Sequence, residues 1–523
     1  MSRMAPVELV EGDEPHDDAP TTRGALTNTD APTSHDHSAG DHSAGKRSAP
    51  RRQRRARVLV AAAAALVVAG VAVTQAVLDA RQRAHESRFD HVAGVLAALG
   101  GPPEASGLVL ARPGGLTAAG GVLVEPRADR DASGLTATLT LTGYDRGTLE
   151  HEWSRTLPVP PAVLAHDDAV SDASPSVRCA TLGAQAERLA CVVEGGVRSV
   201  RENSQLLVVV DGASGAVLDQ RAITVEAWGV VDDLVVTATV ERSRGDLHEV
   251  WTVSAWGADG SLAWRVQPRR AAIDRDEPAG GAWTQASPGR VMLNVVGRWW
   301  LLDGQGRTLA DGDRPRGDSE GDLLVRGSVV GISQSDAGTR LTFAGARRAL
   351  PEDPLWLTVD DGSAAGVVFS RATTSADGMG ELTARRGDTG SLLWRVESSA
   401  YQGVLLDDTL YLCDSRLEAL DARTGVLKWR APQGALSCSV ATDGRVVISI
   451  DDSGHLRAFG IDDGAPVWES TPPAPQGAAF LSADWGVLHW TITDEGRMDQ
   501  GDRALLLRSA SGNTATERSA GPG

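Results

Sequence analysis

Paired acids are the most frequent chemical feature of this 523-residue chain. Asp360-Asp361, Asp407-Asp408, Asp451-Asp452 and Asp462-Asp463 resemble the carboxylate pairs that carry out general acid–base catalysis. Each pair, however, lies between short apolar runs, where aspartate usually caps a tight turn by accepting backbone hydrogen bonds. We therefore interpret these acids as turn formers.

The other reactive residue types lack the spacing that catalysis or metal binding requires. The chain contains no P-loop, GxGxxG, HExxH or GxSxG motif. The repeated Asp-His-Ser-Ala-Gly of residues 36–45 could bind a metal loosely, but a solvated low-complexity tail is the better interpretation. Several histidines and tryptophans could line a ligand site but are scattered or better explained by packing: His166, His248, His455, His489, Trp299, Trp300, Trp485 and Trp490. The sequence thus predicts no catalytic residue, no cofactor and no metal site.

Four cysteines allow either disulfides or buried thiols. Cys179, Cys191, Cys413 and Cys438 form no CxxC or CxxCH, so zinc-ribbon, thioredoxin-like and c-type haem sites lack their ligands. If the domain lies outside the cytoplasm, the expected pairs are Cys179 with Cys191 and Cys413 with Cys438. The alternative is four free thiols that pack as small hydrophobic groups.

The charge balance argues against a nucleic acid as partner of the main domain. The net charge is −18, and an acidic surface repels phosphate backbones. The only dense basic run, residues 51–57, lies directly before an apolar stretch. Its position there is better explained by membrane topology than by nucleic-acid binding.

Residues 58–78 have the length and composition of a transmembrane helix. They carry no charge and would reach about 30 Å as a helix, which is the thickness of a hydrocarbon core. Residues 46–57 carry seven positive charges and no acid, whereas the charges after residue 78 are balanced. The positive-inside rule therefore predicts a cytoplasmic N-terminus and an exported remainder. A cleaved signal peptide is the main alternative, and a buried core helix is a weaker one.

These features divide the chain into five segments. Residues 1–57 are expected to be a disordered cytoplasmic tail, because they contain almost no large apolar groups. Residues 58–78 form the predicted membrane helix, and 79–106 a polar, helical neck. Residues 107–516 form the main domain, and 517–523 a disordered C-terminal tail.

A motif recurs through the main domain in a fixed frame. The best copy, residues 419–429, reads Ala-Leu-Asp-Ala-Arg-Thr-Gly-Val-Leu-Lys-Trp, and in each strong copy a glycine precedes a tryptophan by four positions. Aspartate and glycine form a turn, and the tryptophan then needs neighbouring units to bury its ring. The predicted structural residues of the motif are Gly260, Trp264, Gly390, Trp394, Asp421, Gly425, Trp429, Gly464 and Trp468.

The spacing of the motif predicts a radial array of small sheets. Weaker copies centre on Leu149, Gly215, Gly306 and Gly512, and most intervals are close to the length of a four-stranded blade. The gap between Gly306 and Gly390 is twice as long, so a degenerate unit is expected near residues 341–350. The fold class is therefore all-β: a propeller of about eight (seven to eight) four-stranded blades, after one transmembrane helix and a disordered tail.

The motif resembles the tryptophan-docking repeat of the PQQ-like, or quinoprotein-type, β-propellers. The resemblance implies either of two functions. Some members are dehydrogenases that bind pyrroloquinoline quinone with calcium at the propeller axis, and others are non-enzymatic protein-docking scaffolds. The adjacent cysteine pair typical of the dehydrogenases is missing here. The scarcity of lysine, present only at Lys46 and Lys428, is typical of a high-GC bacterial genome.

The function expected from these observations is a membrane-anchored, extracytoplasmic scaffold or ligand-binding sensor that is not an enzyme. Its expected partners are the membrane and a protein or cell-envelope ligand. The alternative is a divergent quinone-dependent dehydrogenase.

Overall fold

A computed structural model describes most of the chain beyond residue 88. The described ranges are 88–89, 91–110, 116–131, 136–164, 175–183, 186–194, 204–242, 248–268, 271–272, 282–287, 289–295, 298–313, 321–335, 338–343, 349–373, 380–414, 416–432, 438–451, 453–475, 478–484, 486–492 and 503–509, together with Gln75.

The chain divides into two units, Met1–Ala76 and Val77–Gly523. Apart from Gln75, the first unit lies outside the described residues, as do the predicted tails and nearly all of the predicted membrane segment. Within the described ranges, no helix has both the length and the apolar character needed to cross a bilayer.

The second unit is an all-β propeller. Its strands alternate apolar core positions with polar turns, as sheets covered by neighbouring sheets require. The strands are β1 Pro103–Leu110, β2 Thr117–Ala119, β3 Val122–Arg130, β4 Ala137–Asp145, β5 His151–Val159, β6 Ser176–Leu182, β7 Arg188–Glu194, β8 Ser204–Asp211, β9 Val217–Thr224, β10 Ala227–Val231, β11 Leu234–Arg242, β12 His248–Trp256, β13 Leu262–Val266, β14 Ala271–Ala272, β15 Trp283–Ser287, β16 Arg290–Val295, β17 Arg298–Asp303, β18 Thr308–Asp313, β19 Gly321–Val325, β20 Ser328–Ser335, β21 Gly338–Phe343, β22 Asp353–Pro354, β23 Trp356–Asp360, β24 Val367–Thr373, β25 Gly380–Arg386, β26 Leu392–Glu397, β27 Gln402–Leu406, β28 Thr409–Cys413, β29 Leu417–Asp421, β30 Leu427–Arg430, β31 Cys438–Thr442, β32 Val446–Asp451, β33 Leu456–Gly460, β34 Pro466–Ser470, β35 Ala478–Asp484, β36 Val487–Ile492 and β37 Arg503–Ser509, with one short helix, α1 Pro161–Leu164.

The described strands form nine sheets, one more blade than the eight predicted. Six sheets have four strands, two have five, and the β19–β21 sheet has three. This three-stranded sheet lies in the long interval between Gly306 and Gly390, where the spacing predicted a degenerate unit near residues 341–350: β21 ends at Phe343, and Leu341 forms an isolated bridge with Leu350. Its sequence lacks the aspartate, glycine and tryptophan of the motif, so counting strong motifs alone underestimates the number of blades.

The ring is closed by strands from the two ends of the second unit. β1 pairs antiparallel with β37, with Pro103 opposite Ser509 and Leu110 opposite Ala504, and so completes the sheet of β35, β36 and β37. This strand begins at Pro103, inside the segment predicted as the neck. Because one blade combines both ends of the ring, no sheet edge is left open between the first and last blades.

The blade of β31–β34 agrees closely with its sequence prediction. Short apolar runs between turn residues predict strands at 436–441, 445–450, 455–459 and 466–469 in this part of the sequence. The observed strands agree with them to within about two residues, the usual uncertainty of strand ends. Short β-branched runs between Asp, Gly and Ser clusters are strong local signals.

In three motif copies an aspartate holds the turn. In the best copy, the Asp421 carboxylate accepts hydrogen bonds from the Thr424 backbone N–H at 2.9 Å and the Thr424 hydroxyl at 2.7 Å. Gly425 follows with a φ of +72°, which residues with a side chain rarely adopt. Asp211 with Ser214 and Asp145 with Thr148 repeat the same arrangement.

The motif tryptophans connect successive blades. Trp394 lies against Gly425 of the next blade, and its indole Nε1 donates to the Ala422 carbonyl at 3.0 Å. Trp429 repeats this against Gly464, donating to Ile461 O at 3.1 Å. Further pairs are Trp153 with Gly212 O and Trp264 with Gly304 O. Trp394 and Trp429 are buried and Trp264 and Trp468 are partly buried, while the turn around Gly512 lies outside the described residues.

Two blades perform the same docking with substitute residues. Phe343 ends β21 and packs against Gly390, where a motif tryptophan would lie. Leu149 replaces the turn glycine in the β4–β5 turn and adopts a φ of +58°. The geometry of the repeat is therefore kept where its sequence signature is lost.

Candidate functional site

The two faces of the propeller are distinguished by the turns that they carry. The motif turns lie beside the turns between the first and second strands of each blade, as the hydrogen bond from Ala422 N to Asp408 O at 2.9 Å shows. We call this side the motif face, and the opposite side the open face. Contacts between neighbouring blades are made mainly by their first strands, which therefore surround the axis.

An N-terminal segment covers part of the motif face. We call the described residues 88–89 and 91–99 of this segment the axial plug. In it, Leu96 N donates to Thr442 O and Leu99 N donates to the Asp443 carboxylate, both at 2.8 Å. Phe89 and Val95 are buried in the core of the β27–β34 blades. Gly94 lies so close to the Thr358 carbonyl that a side chain there would overlap it. The plug thus reaches into the axis from the motif face.

The axis also contains an extra strand. β23 runs parallel to β27, with Trp356 opposite Gln402 and Asp360 opposite Leu405. The Thr358 hydroxyl donates to Gly403 O at 3.3 Å and lies 3.4 Å from Val440 O. β23 therefore connects the first strands of two neighbouring blades.

A cavity of about 310 Å³ lies beside β23, towards the open face. Its lining comes from β23, β27, β31, β32 and β35 and from the residue before β27: Thr358, Tyr401, Gln402, Ser439, Val440, Ile450, Asp451, Leu481, Ser482 and Ala483. The size is at the lower end of the range for small-molecule sites. We call this space the axial cavity.

Two exposed aromatic residues lie beside the axial cavity. Trp356 is 72% exposed and Tyr401 is 52% exposed, whereas most large apolar side chains of the inner strands are buried. The backbone N–H of Trp356 donates to Tyr401 O at 3.3 Å, and the Tyr401 hydroxyl lies 3.2 Å from Ser439 Oγ. Exposed aromatic rings on a rigid sheet are typical of binding surfaces.

Asp451, the only acidic residue in the cavity lining, accepts hydrogen bonds from the turn that follows it. Burial would raise the pKa of Asp451, but hydrogen bonds from the Ser453 hydroxyl and from the backbone N–H groups of His455 and Ser453 outweigh it, and the pKa lies below its usual range. The carboxylate is therefore ionised at neutral pH. The lining contains no Lys or Arg, so it does not fit a polycarboxylate quinone.

The motif aspartate Asp421 is also held ionised. Burial opposes ionisation of Asp421, but hydrogen bonds from the Thr424 hydroxyl, the Thr424 N–H and the Arg423 N–H lower its pKa. In the turns of the acid pairs, Asp361 accepts from Asp407 N at 2.7 Å and Asp463 from Ala465 N at 2.9 Å. Asp407 and Asp408 both have positive φ, as a two-residue hairpin turn requires. These acids are turn residues in the structure.

The cysteines and remaining aromatic residues have structural positions. Cys179 and Cys191 lie opposite each other on β6 and β7 and form a disulfide. Cys413 is also disulfide-bonded, while the side chain of Cys438 lies outside the described residues. Trp300 and Trp490 are buried within blades, Trp299 packs on Gly312, and His489 is buried beside Ser482. His166 and Trp485 lie outside the described ranges.

Sequence reasoning missed the residues of the open face. Trp356 and Tyr401 belong to no motif copy, and Gln402 and Ser439 are ordinary residues at strand starts. The available signal was the long connection before Gly390, which contains an aromatic residue in a strand without a motif. Across the described ranges, no group of three or more His, Cys, Asp or Glu side chains is arranged to hold a metal ion.

Comparison with known proteins supports the repeat assignment. Residues 320–493, about a third of the chain, match the protein family described as outer membrane protein assembly factor BamB. A BamB from Yersinia pestis is 25% identical over 207 residues, covering 34% of this chain and 50% of that protein. A BamB from Shigella dysenteriae is 24% identical over 160 residues, covering 26% of this chain and 40% of that protein. The chain thus spans half or less of the length of these relatives.

Solved propellers align over most of the chain at low identity. BamB from Moraxella catarrhalis aligns at a TM-score of 0.35 and 12% identity, covering 79% of this chain and 100% of that one. A quinohemoprotein alcohol dehydrogenase from Pseudomonas putida aligns at a TM-score of 0.34 and 13% identity, covering 82% and 78%. The motif, the fold and the family match together define a β-propeller built from PQQ-like repeats. The resemblance inferred from the motif is thereby confirmed.

Proposed function

We propose that this propeller is a membrane-anchored, extracytoplasmic scaffold that binds a protein of the cell envelope on its open face. The observation that carries the proposal is the exposed pair Trp356 and Tyr401 beside the axial cavity, on the face opposite the axial plug. Aromatic side chains contribute large contact areas at low entropic cost, and they are enriched where proteins bind partners.

The proposed location rests on the sequence of the N-terminal region and on the disulfide. The uncharged segment 58–78 follows seven positive charges, which favours export of the remainder. The disulfide between Cys179 and Cys191 suits an oxidising compartment. The related proteins are described as outer membrane protein assembly factors, which supports a role in which the propeller holds other proteins.

Photo-crosslinking in intact cells tests the binding face. A photo-reactive amino acid replaces Trp356 in the full chain, and a matched variant carries it at Val426, which is 63% exposed near a motif turn. The proposal expects specific protein adducts from position 356 and none of the same mass from position 426. Adducts from 426 alone, or from neither position, would contradict it.

We also propose that the propeller has no catalytic activity of its own. The acids nearest the axial cavity are bound to turns, and the cavity lining lacks the cations that a quinone with several carboxylates needs. The full chain, supplied with quinone and calcium, should show no alcohol- or sugar-dependent dye reduction. Turnover that disappears when calcium is removed would establish the dehydrogenase instead.

A further inference from the structure

The lining of the axial cavity contains uncharged polar groups that can form further hydrogen bonds. Within the described residues, the Gln402 amide lines the cavity and makes no hydrogen bond to another protein group. Among the residues that the structure describes, the hydroxyls of Tyr401 and Ser439 hydrogen-bond only to each other, at 3.2 Å, and each retains acceptor capacity. Ser482, on the other side, lies 3.1 Å from His489 Nε2.

The remaining lining is apolar or already engaged. Val440, Ile450, Leu481 and Ala483 present aliphatic surface. Asp451 Oδ1 accepts from Ser453 N at 3.0 Å and His455 N at 2.9 Å, so this oxygen is held by the turn. The cavity therefore combines aliphatic walls, neutral donors and acceptors, one carboxylate held by a turn, and an exposed phenol ring at its edge.

This combination restricts the chemistry of a ligand. An anion would find no Lys or Arg in the lining to replace its hydration. A purely apolar ligand would bury the Gln402 amide and the hydroxyls without partners, which is costly. A sugar ring has a C–H face that packs on an aromatic ring and hydroxyls that pair with amides and hydroxyls, so it satisfies both kinds of surface.

We infer that the axial cavity is a binding site for a neutral saccharide, with Gln402 as the main hydrogen-bonding residue and Tyr401 as the stacking ring. The volume of about 310 Å³ suits one or two sugar rings. The inference rests on the proposed function in one respect: the export of the propeller makes a cell-envelope glycan the source of the sugar. Trp356, at the start of β23 next to Gln402, extends the aromatic surface outwards.

Ligand-observed NMR and calorimetry on the full chain test the site. The protein is purified in a detergent without a sugar headgroup, and the probes are the neutral disaccharides cellobiose and N,N′-diacetylchitobiose. At least one should bind with a dissociation constant on the order of 1 mM or below, as expected for a ligand of this size. Gln402→Leu and Tyr401→Ala should each weaken binding about tenfold, the loss expected for one unmade hydrogen bond or ring contact.

Controls separate this inference from the scaffold proposal. Val426→Ala, on an exposed outer position, should leave saccharide affinity unchanged, and all variants should retain the parental unfolding temperature. Absence of binding by both disaccharides, or equal binding by every variant, would overturn the inference. Binding of trilysine that depends on Tyr401 and Gln402 would overturn it in favour of a peptide site. The photo-crosslinking experiment separates the two proposals. If the scaffold proposal is correct and the saccharide inference is wrong, position 356 still forms protein adducts while both disaccharides fail to bind.

Discussion

The aspartate and the glycine of each motif turn contribute in different ways. The Asp421 carboxylate accepts hydrogen bonds from the backbone N–H groups of Arg423 and Thr424, which have no partner on a described neighbouring strand. Gly425 permits a left-handed φ and leaves room for the ring of Trp394 from the preceding blade. The turn roles of both residues were predictable from the sequence, since turn chemistry is local and requires these residue types. The contact between Gly425 and the Trp394 ring was not, because it joins two blades.

Replacing Gly425 by alanine should be more destabilising than its backbone conformation alone explains. Both Gly425, at φ +72°, and Gly362, at φ +75°, are left-handed, so alanine costs about 1–2 kcal/mol at either site. At Gly425 the new Cβ would also lie 2.7 Å from the Trp394 ring, whereas at Gly362 it would meet nothing within 4 Å.

Urea unfolding of the two variants measures the difference. Gly425→Ala should lose at least about 1 kcal/mol more stability than Gly362→Ala, the cost of displacing a packed ring. Equal losses would mean that the ring does not rest on the turn.

Asp421 should stabilise the fold in a pH-dependent way. Its folded-state pKa is lowered, so its contribution is complete above the unfolded pKa of about 3.9 and is lost as pH falls through the folded pKa. Asp421→Asn should therefore cost about 1 kcal/mol at pH 7 and less at pH 3. The measurement is the free energy of unfolding of both proteins at both pH values. A difference that does not change with pH would contradict the role of the charge.

At the scale of the elements, strand positions were predictable but the number of blades was not. Strand signals are local alternations, and the β31–β34 blade was located to within about two residues. The blade of β19–β21 has no motif because Phe343 performs the tryptophan's packing. The double-length interval did indicate a unit near residues 341–350, but the sequence could not show that Phe343 takes over the tryptophan's contact, because that contact is tertiary.

If the motif tryptophans hold neighbouring blades together, replacing a buried tryptophan should lower the stability of the protein much more than replacing an exposed one. Trp429 is buried and bonded to Ile461 O, so Trp429→Ala should cost roughly 3–5 kcal/mol. Trp356 is 72% exposed, so Trp356→Ala should change stability by no more than about 0.5 kcal/mol. Thermal unfolding of both variants measures this difference. Similar melting temperatures for the two variants would show that Trp429 does not stabilise the contact between blades.

At the scale of the whole molecule, the site depends on contacts between distant parts of the chain. The axial plug meets Thr442 and Asp443 across more than three hundred residues of sequence, and β23 joins strands of separate blades. Neither arrangement has a local signature. The sequence therefore predicted the propeller but placed none of the open-face residues, which only the closed ring brings together.

Topology is the first prediction at this scale. Alkaline phosphatase fused after Gly523 should be active, and a fluorescent protein that matures only in the cytoplasm should be dark at the same position. The reason is the excess of positive charge before residue 58. A matched fusion with the arginines of 51–57 replaced by glutamine should lose this orientation in part. A bright cytoplasmic reporter with inactive phosphatase would refute export.

The central claim is that the open face binds a protein, and quantitative co-purification tests it most directly. The full chain and a Trp356→Ala/Tyr401→Ala variant are isolated from crosslinked cells, with Val426→Ala as the control for an exposed apolar residue away from that face. Proteins recovered with the parent should fall about tenfold or more in the double variant, since exposed aromatic anchors carry much of the energy of such interfaces, and should be unchanged in the control. Equal recovery with the parent and the double variant, at equal expression and unfolding temperature, would contradict the account.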